Sequence, residues 1–165
     1  MNNMPYRYLD HPSYTDQQLA LLKAEMNEKY HIAFDLAVRC GLRLFEIATL
    51  DYDQCNNEYF FLRKGIKVQI KLPEDLIQKI EKNKSELPVI THDHNCEFSS
   101  YYALNAGRSF ATTLSNASHT LFGYSLGTNA LRVTYSHKAF HRLAQFQSPQ
   151  KVIAKLKAQL GSLAK

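Results

Sequence analysis

Residues 37–50 read AVRCGLRLFEIATL, and this stretch decides the fold that we predict for the chain. A run of apolar residues at helical spacing begins at Ile32 and reaches Gly41, which is well placed to end that helix as its C′ residue. Helical spacing resumes from Arg43 to Leu50. Because Glu46 follows Arg43 by three residues, the two side chains could pair along this second helix.

Further helices are predicted on both sides of this stretch. Thr15 or Asp16 suits the N-cap of the first one, because apolar residues then follow at helical spacing. Pro73 suits the first position of a short helix, where its missing N–H has no partner to lose. The predicted helices outside 32–50 begin near residue 16 and then cover about 73–82, 99–117, 129–143 and 149–160.

The sequence pattern changes after Asn57 from helical spacing to segments rich in β-forming residues. Two segments rich in β-forming residues, 59–62 and 66–72, flank Arg63-Lys64-Gly65, which suits a hairpin turn. Apolar and polar residues alternate over residues 66–72, so that a strand would place the four apolar side chains on one face. We therefore predict a mainly helical α+β fold with one small antiparallel sheet, in a single domain covering residues 1–165, and a loop over 83–97.

Charge is distributed unevenly along the 165 residues. Residues 1–97 contain 12 basic and 15 acidic side chains, whereas residues 98–165 contain eight basic side chains and no Asp or Glu. The net charge of +5 therefore arises entirely in the second part of the chain. A basic stretch of this length favours a polyanionic partner such as nucleic acid, although a solvated basic face without a binding role fits the same count.

Several classes of protein are excluded by composition. A hydrophobic fraction of 45% is normal for a packed domain, and no apolar run approaches the roughly 20 residues that span a bilayer. The N-terminal residues lack the apolar core of a secretion signal. Three widely spaced cysteines, Cys40, Cys55 and Cys96, do not form a disulfide framework, so we expect reduced thiols in a cytoplasmic protein without contact to a membrane.

Metal and nucleophile motifs are weak. His92, His94 and Cys96 alternate and would share one face of a strand, but a zinc site needs further ligands and the stretch is polar and turn-like. Cys40 lies on an apolar helical face, as a small buried hydrophobic residue does. We therefore expect no metal site and no cofactor.

Three segments in fixed order together resemble the catalytic domain of the tyrosine recombinases (phage-integrase type). Residues 37–50 resemble the box that carries the first active-site arginine of the family, and the hairpin with Lys64-Gly65 lies where the family keeps a catalytic lysine. Residues 129–135, NALRVTY, resemble the box that carries the second arginine. Residues 148–156 resemble the helix that precedes the family's third box, for which 160–162 or Lys157-Ala158 could stand.

The resemblance implies a role for each matching residue. Arg43 and Arg132 would clamp one DNA phosphate, because guanidinium forks match phosphate oxygens and neutralise transition-state charge. Lys64, with Lys67 as the second choice, would protonate the leaving oxygen as a general acid. The two histidine positions of the family would fall on Asn129 and on Ser162, or on Ala158 in the other register of the third box.

The chain also departs from the family pattern. Asparagine at position 129 donates a hydrogen bond but exchanges no proton at neutral pH. The nucleophilic tyrosine of the family would be expected only after Lys165, and we expect the chain to lack the family's N-terminal DNA-clamping domain. Tyr135 corresponds to a packing aromatic residue rather than to that nucleophile. Two explanations remain open: a fragment of a working recombinase, or a recombinase-like fold that has lost strand cleavage and kept DNA binding.

The second explanation leads to the function that we predict, a DNA-binding protein deficient in strand cleavage that serves as an accessory or regulatory factor of a mobile element. Its partners would be duplex DNA and, in addition, a second copy of itself or a recombination or transfer complex. The alternatives are an active site-specific recombinase whose tyrosine lies beyond Lys165, and a helical protein–protein adaptor. The predicted DNA contacts are Arg43, Lys64, Lys67, Arg108, Arg132, Lys138 and Arg142.

Overall fold

Seven α-helices and a three-stranded sheet make up residues 11–82 and 100–160, the part of the chain that the computed structural model describes. The helices are α1 (Asp16–Glu25), α2 (His31–Cys40), α3 (Leu44–Ala48), α4 (Glu74–Lys82), α5 (Ser100–Phe122), α6 (Asn129–Ala144) and α7 (Pro149–Leu160). The strands are β1 (Asp51–Asp53), β2 (Glu58–Arg63) and β3 (Ile66–Ile70). A short 3-10 turn, Glu28–Tyr30, leads into α2. The predicted class, mainly helical α+β with a small antiparallel sheet, is confirmed.

The sheet is antiparallel throughout, with the strand order β1-β2-β3. Arg63 pairs with Ile66, so that Lys64 and Gly65 alone form the turn between β2 and β3. This arrangement confirms the predicted hairpin. Strand β1 was not predicted from the sequence, because a strand of three residues, DYD, is too short to show an alternating pattern.

Helix α2 lies in the main hydrophobic core and packs against α3, α4 and α6. Its residues Ala33, Leu36 and Ala37 are buried, and α5 supplies Phe110 and Leu114 to the same core. A second apolar cluster joins α6 to α7 and consists of Val133, Ala139, Val152, Leu156 and Leu160. Helices α6 and α7 are therefore fixed to each other and, through α6, to the centre of the fold.

Gly41 ends α2, as the sequence predicts, in the left-handed conformation with φ +71°. A Cβ atom built at this position would lie 2.7 Å from Leu160 Cδ2 and 2.7 Å from Tyr135 Cδ1. Tyr135 is thus a packing residue, and its hydroxyl accepts a 2.7 Å hydrogen bond from Gln159. Glycine is required here both for its backbone conformation and for the close approach of α6 and α7.

The N-cap of α1 is Thr15, whose hydroxyl accepts the Gln18 N–H while the Gln18 side chain accepts the Thr15 N–H. This reciprocal pair is the capping box that stabilises many helix starts.

Other element boundaries differ from the sequence-based expectations. Helix α3 covers only five residues of the predicted 43–50 run, because the chain turns into β1 at Asp51. Helix α5 continues to Phe122, five residues beyond its predicted end. The apolar face expected for 66–72 is only partly buried, since Ile66 at the hairpin tip is 67% exposed and extends beyond the core. The loop predicted at 83–97 lies outside the described residues.

Replacing Gly41 by alanine is expected to lower the free energy of unfolding by about 2 kcal/mol or more, through left-handed strain plus overlap with Tyr135 and Leu160. Gly123→Ala is a matched control, because Gly123 has φ +78° but no atom within 4 Å of an added Cβ. The control should lose only about 1 kcal/mol. Urea unfolding of both variants measures the difference, and equal losses would contradict the packing described for Gly41.

Candidate functional site

A cavity of about 420 Å³ opens between the start of α3, the β2–β3 turn and the start of α6. Arg43, Lys64, Asn129 and Arg132 all line it. These are four of the five residues to which the sequence analysis assigned family-equivalent active-site positions. The fifth, Ser162, lies outside the described residues. Three segments that are far apart in sequence thus bring their predicted polar side chains to one place.

Arg43 occupies the N-cap position of α3, in an extended conformation with φ −75° and ψ 158°. Its backbone N–H donates a 3.0 Å hydrogen bond to Oε1 of Glu46. The carboxylate therefore fixes the backbone of Arg43 at the cavity wall, while the side chain of Arg43 lines the cavity itself.

Glu46 is only 2% exposed, and its second oxygen, Oε2, accepts a 2.7 Å hydrogen bond from Nε of Arg63. A buried carboxylate is tolerated because this charge and the N–H of Arg43 satisfy it. Arg63 also donates to the backbone carbonyl of Gln159, at 2.9 Å, near the end of α7. Helical spacing predicted a pair between Glu46 and Arg43, whereas the bond from Arg63 depends on the register of β2 and shows no signal in the sequence.

Lys64 holds φ +52° in the β2–β3 turn and is followed by Gly65 at φ +76°. Two successive left-handed residues are typical of the two-residue turn that matches the twist of a hairpin, and asparagine is the preferred residue at the first position. Lysine in this conformation costs about 1 kcal/mol or more. The ammonium group is exposed and forms no ion pair within residues 11–82 and 100–160. The turn thus presents a cation at the cavity rim at a cost in stability.

Arg132 is buried, with 2% of its surface exposed. Its Nε donates a 2.5 Å hydrogen bond to the carbonyl of Gly41, and one terminal nitrogen donates to the carbonyl of Leu160. A guanidinium in the interior needs such acceptors to offset its lost hydration. Arg132 therefore connects α6 both to the end of α2 and to the end of α7, in addition to lining the cavity.

The other positions that the resemblance selects lie at the edge of the cavity or outside it. Asn129 is the first residue of α6 and is exposed at the cavity edge. Ala158, the alternative position for the third-box histidine, lines a separate hollow of about 360 Å³ between β3 and α7. The described residues that line the first cavity include neither a histidine nor a tyrosine.

The other predicted DNA contacts do not line the cavity. Lys67 donates a 2.8 Å hydrogen bond to Asp53 and lies 4.2 Å from the centre of the Phe60 ring. Lys67, together with hydrogen bonds from Asn56 and Cys55, lowers the pKa of Asp53 to about 2. Lys138 forms a 2.7 Å ion pair with Asp16. The two remaining predicted contacts, Arg108 and Arg142, are exposed on α5 and α6.

Cys40 is buried at the end of α2, as expected, and burial raises the pKa of its thiol to about 11. Within the described residues no three His, Cys, Asp or Glu side chains come close enough to hold a metal ion. The His92, His94 and Cys96 motif lies outside them. None of the described helices is both long and apolar enough to cross a membrane.

Comparison with known proteins yields no match to a family model, to a curated protein or to a solved structure. The resemblance to the tyrosine recombinases rests on the residues of segments 37–50, 64–65 and 129–135. What the geometry adds is that these segments are neighbours around one cavity.

Arg132→Ala is expected to lower the free energy of unfolding by about 2–4 kcal/mol, since two buried carbonyls would lose a charged donor and a void would replace the side chain. Arg142→Ala, an exposed arginine on the same helix, serves as the control and should change stability by no more than about 0.5 kcal/mol. Chemical unfolding compares the two. Equal stability of the Arg132 variant and the parent would contradict the structural role assigned to this guanidinium.

Proposed function

We propose that the chain is a DNA-binding protein of tyrosine-recombinase-like architecture that holds a backbone phosphate in the cavity and is deficient in strand cleavage. The observation that carries the proposal is the convergence of Arg43, Lys64, Asn129 and Arg132 on one cavity. The three segments that contribute them are the ones that resemble the family's active-site boxes. A coincidental resemblance gives no reason for these segments to meet.

The charges around the cavity suit a phosphate. Four cationic side chains line it against one carboxylate, Glu46, which is already paired with Arg63. Lys64 is exposed at the rim and forms no ion pair with the residues that the structure describes, so that its ammonium can meet a phosphate oxygen directly. Arg43 adds a guanidinium with the planar donor geometry that phosphate oxygens accept. Contacts of this kind position a protein on DNA without selecting a base sequence.

Deficient cleavage follows from the chemistry of the side chains. Asn129 stands where the family has a proton-exchanging histidine, and an amide exchanges no proton at neutral pH. Tyr135 is engaged with Gln159 and packs over Gly41, so that its hydroxyl is not a nucleophile presented to the cavity. Catalytic groups that act as a unit lose most of their activity when members are missing. A role as an accessory or regulatory factor of a mobile element is consistent with binding without cleavage.

Lys64→Asn provides the sharpest test of DNA binding, because asparagine relieves the left-handed strain while it removes the cation. The variant is expected to unfold at higher urea and to bind duplex DNA several-fold more weakly. In a salt titration followed by fluorescence anisotropy, the slope of log K against log salt should fall by about 1, the loss of one phosphate contact.

Lys82→Asn is the charge-matched control, since Lys82 is exposed at the end of α4 and does not line the cavity. It should leave both affinity and salt slope unchanged. Equal weakening by the two variants would indicate a general effect of net charge, and unchanged binding by both would contradict a phosphate contact at Lys64. Absence of duplex binding by the parent protein would favour the adaptor function over the DNA-binding one.

Cleavage is tested separately with a suicide duplex that traps covalent protein–DNA intermediates. We expect binding without a covalent adduct, because no proton-exchanging side chain replaces the histidine at position 129. An adduct mapped by mass spectrometry to a tyrosine of this protein would overturn the cleavage-deficient part of the proposal. It would favour an active recombinase instead and leave the phosphate site in place.

A further inference from the structure

Phe146 is 81% exposed, the highest value among the exposed large apolar side chains of the described residues. It lies in the short connection between α6 and α7. Burial of a phenylalanine ring is normally favourable, so a ring that the fold leaves in water is a candidate contact for a partner.

The backbone around Phe146 is ordered by hydrogen bonds. The N–H groups of Phe146 and Gln147 both donate to the carbonyl of Leu143, at 3.0 Å each. The N–H of Val152 then donates to the carbonyl of Ser148 at 3.1 Å, which starts α7. The exposed ring is therefore presented from a defined turn between two helices.

Exposed cationic side chains lie close to this ring in the sequence, on both sides of the α6–α7 connection. Arg142 precedes Phe146 by four residues on α6, and Lys151 and Lys155 lie in the first two turns of α7. All three are exposed and form no ion pair within the described part of the chain. Residues 98–165 contain no carboxylate side chain at all. We call Phe146, Arg142, Lys151 and Lys155 the Phe146 surface.

We propose that the Phe146 surface binds single-stranded nucleic acid, with the ring of Phe146 stacked on a base and the three cations near the backbone phosphates. An aromatic platform beside cations is the combination by which proteins hold single strands. The bases of an intact duplex are already stacked on both sides, and a side chain inserted between them has to break this stacking, which costs free energy. An unpaired base meets an exposed ring without that cost.

A membrane or an apolar protein surface fits this region less well. The apolar residues of α7, namely Val152, Leu156 and Leu160, are buried against α6. Phe146 is therefore not part of a continuous apolar helix face of the kind that inserts into a lipid interface. Positive charge without carboxylates matches a polyanion instead.

The Phe146 surface is separate from the cavity. Asn129 lies at the first residue of α6 and Phe146 two residues beyond its last, so the two are about 25 Å apart along the helix axis at 1.5 Å per residue. The inference that the partner is a nucleic acid rests on the proposed function. The two sites are distinguishable, because a change at Lys64 should affect duplex binding and leave the single-strand contact intact.

The test uses the fact that the chain contains no tryptophan. Phe146→Trp places a single fluorescent reporter at the proposed stacking position, and its exposure means that the substitution disturbs no packing. We expect an oligothymidylate of about 16 nucleotides to quench the emission, because stacking on a base quenches tryptophan. A blunt duplex of similar length should quench it much less.

Leu21→Trp is the matched reporter control, since Leu21 is 48% exposed on α1 in the acidic half of the chain, and it should show no quenching. Phe146→Leu keeps an apolar side chain without a ring and should bind the oligothymidylate about tenfold more weakly in an anisotropy assay. Lys64→Asn combined with Phe146→Trp should retain the quenching.

Several outcomes would overturn the assignment. A blue shift with phosphatidylglycerol vesicles, without quenching by the oligothymidylate, would indicate a membrane contact instead. Equal quenching by the oligothymidylate and by an oligoglutamate would indicate charge alone. Full affinity of Phe146→Leu would exclude stacking. Loss of quenching in the Lys64→Asn background would show that there is one site rather than two.

Discussion

The buried guanidinium of Arg132 is the interaction on which the rest of the structure depends. One arginine supplies donors to the carbonyl that ends α2 and to the carbonyl that ends α7, so a single side chain sets the relative positions of three helices. Gly41 makes this possible, because the absence of a Cβ allows Tyr135 and Leu160 to close over the turn. The cavity wall formed by the start of α6 is in the right place only while these contacts hold.

The cationic side chains around the cavity have different structural roles. Arg63 neutralises Glu46 and braces the end of α7, and Arg132 holds the helices together from the interior. Lys64 forms no ion pair within residues 11–82 and 100–160 and occupies a backbone conformation that suits asparagine or glycine better. Local strain of this kind is common where a side chain is kept for a contact with a ligand. Arg63 and Arg132 therefore stabilise the fold, whereas the role of Lys64 lies in the proposed phosphate contact.

The sequence predicted the parts of the fold that follow from local pattern. Helix α2 and its end at Gly41, the N-cap of α1 at Thr15 (one of two candidates), the Lys64-Gly65 turn and α7 were all predicted from spacing and turn chemistry. Strand β1 was not predicted, because three residues are too few to show a periodic pattern. The exposure of Ile66 was not predicted either, because alternation of polar and apolar residues does not show how far a hairpin extends beyond the core. For the site, motif resemblance selected four residues that do share a cavity. It could not show that Arg132 is buried or that Arg63 forms an ion pair with Glu46, since these facts depend on contacts between residues 17 and 91 positions apart.

The long span of the arginine contacts has a consequence for biosynthesis. The bond from Arg63 to Gln159 joins residues 96 positions apart, and the bond from Arg132 to Gly41 joins residues 91 apart. Loops of this size close slowly, and a chain emerging from the ribosome folds its N-terminal elements first. The β2–β3 hairpin and α2 are therefore available long before α7 has been synthesised. A nascent chain would carry Lys64 on its hairpin before the cavity exists, because Thr128, Asn129 and Arg132 of the cavity wall are synthesised more than 60 residues later.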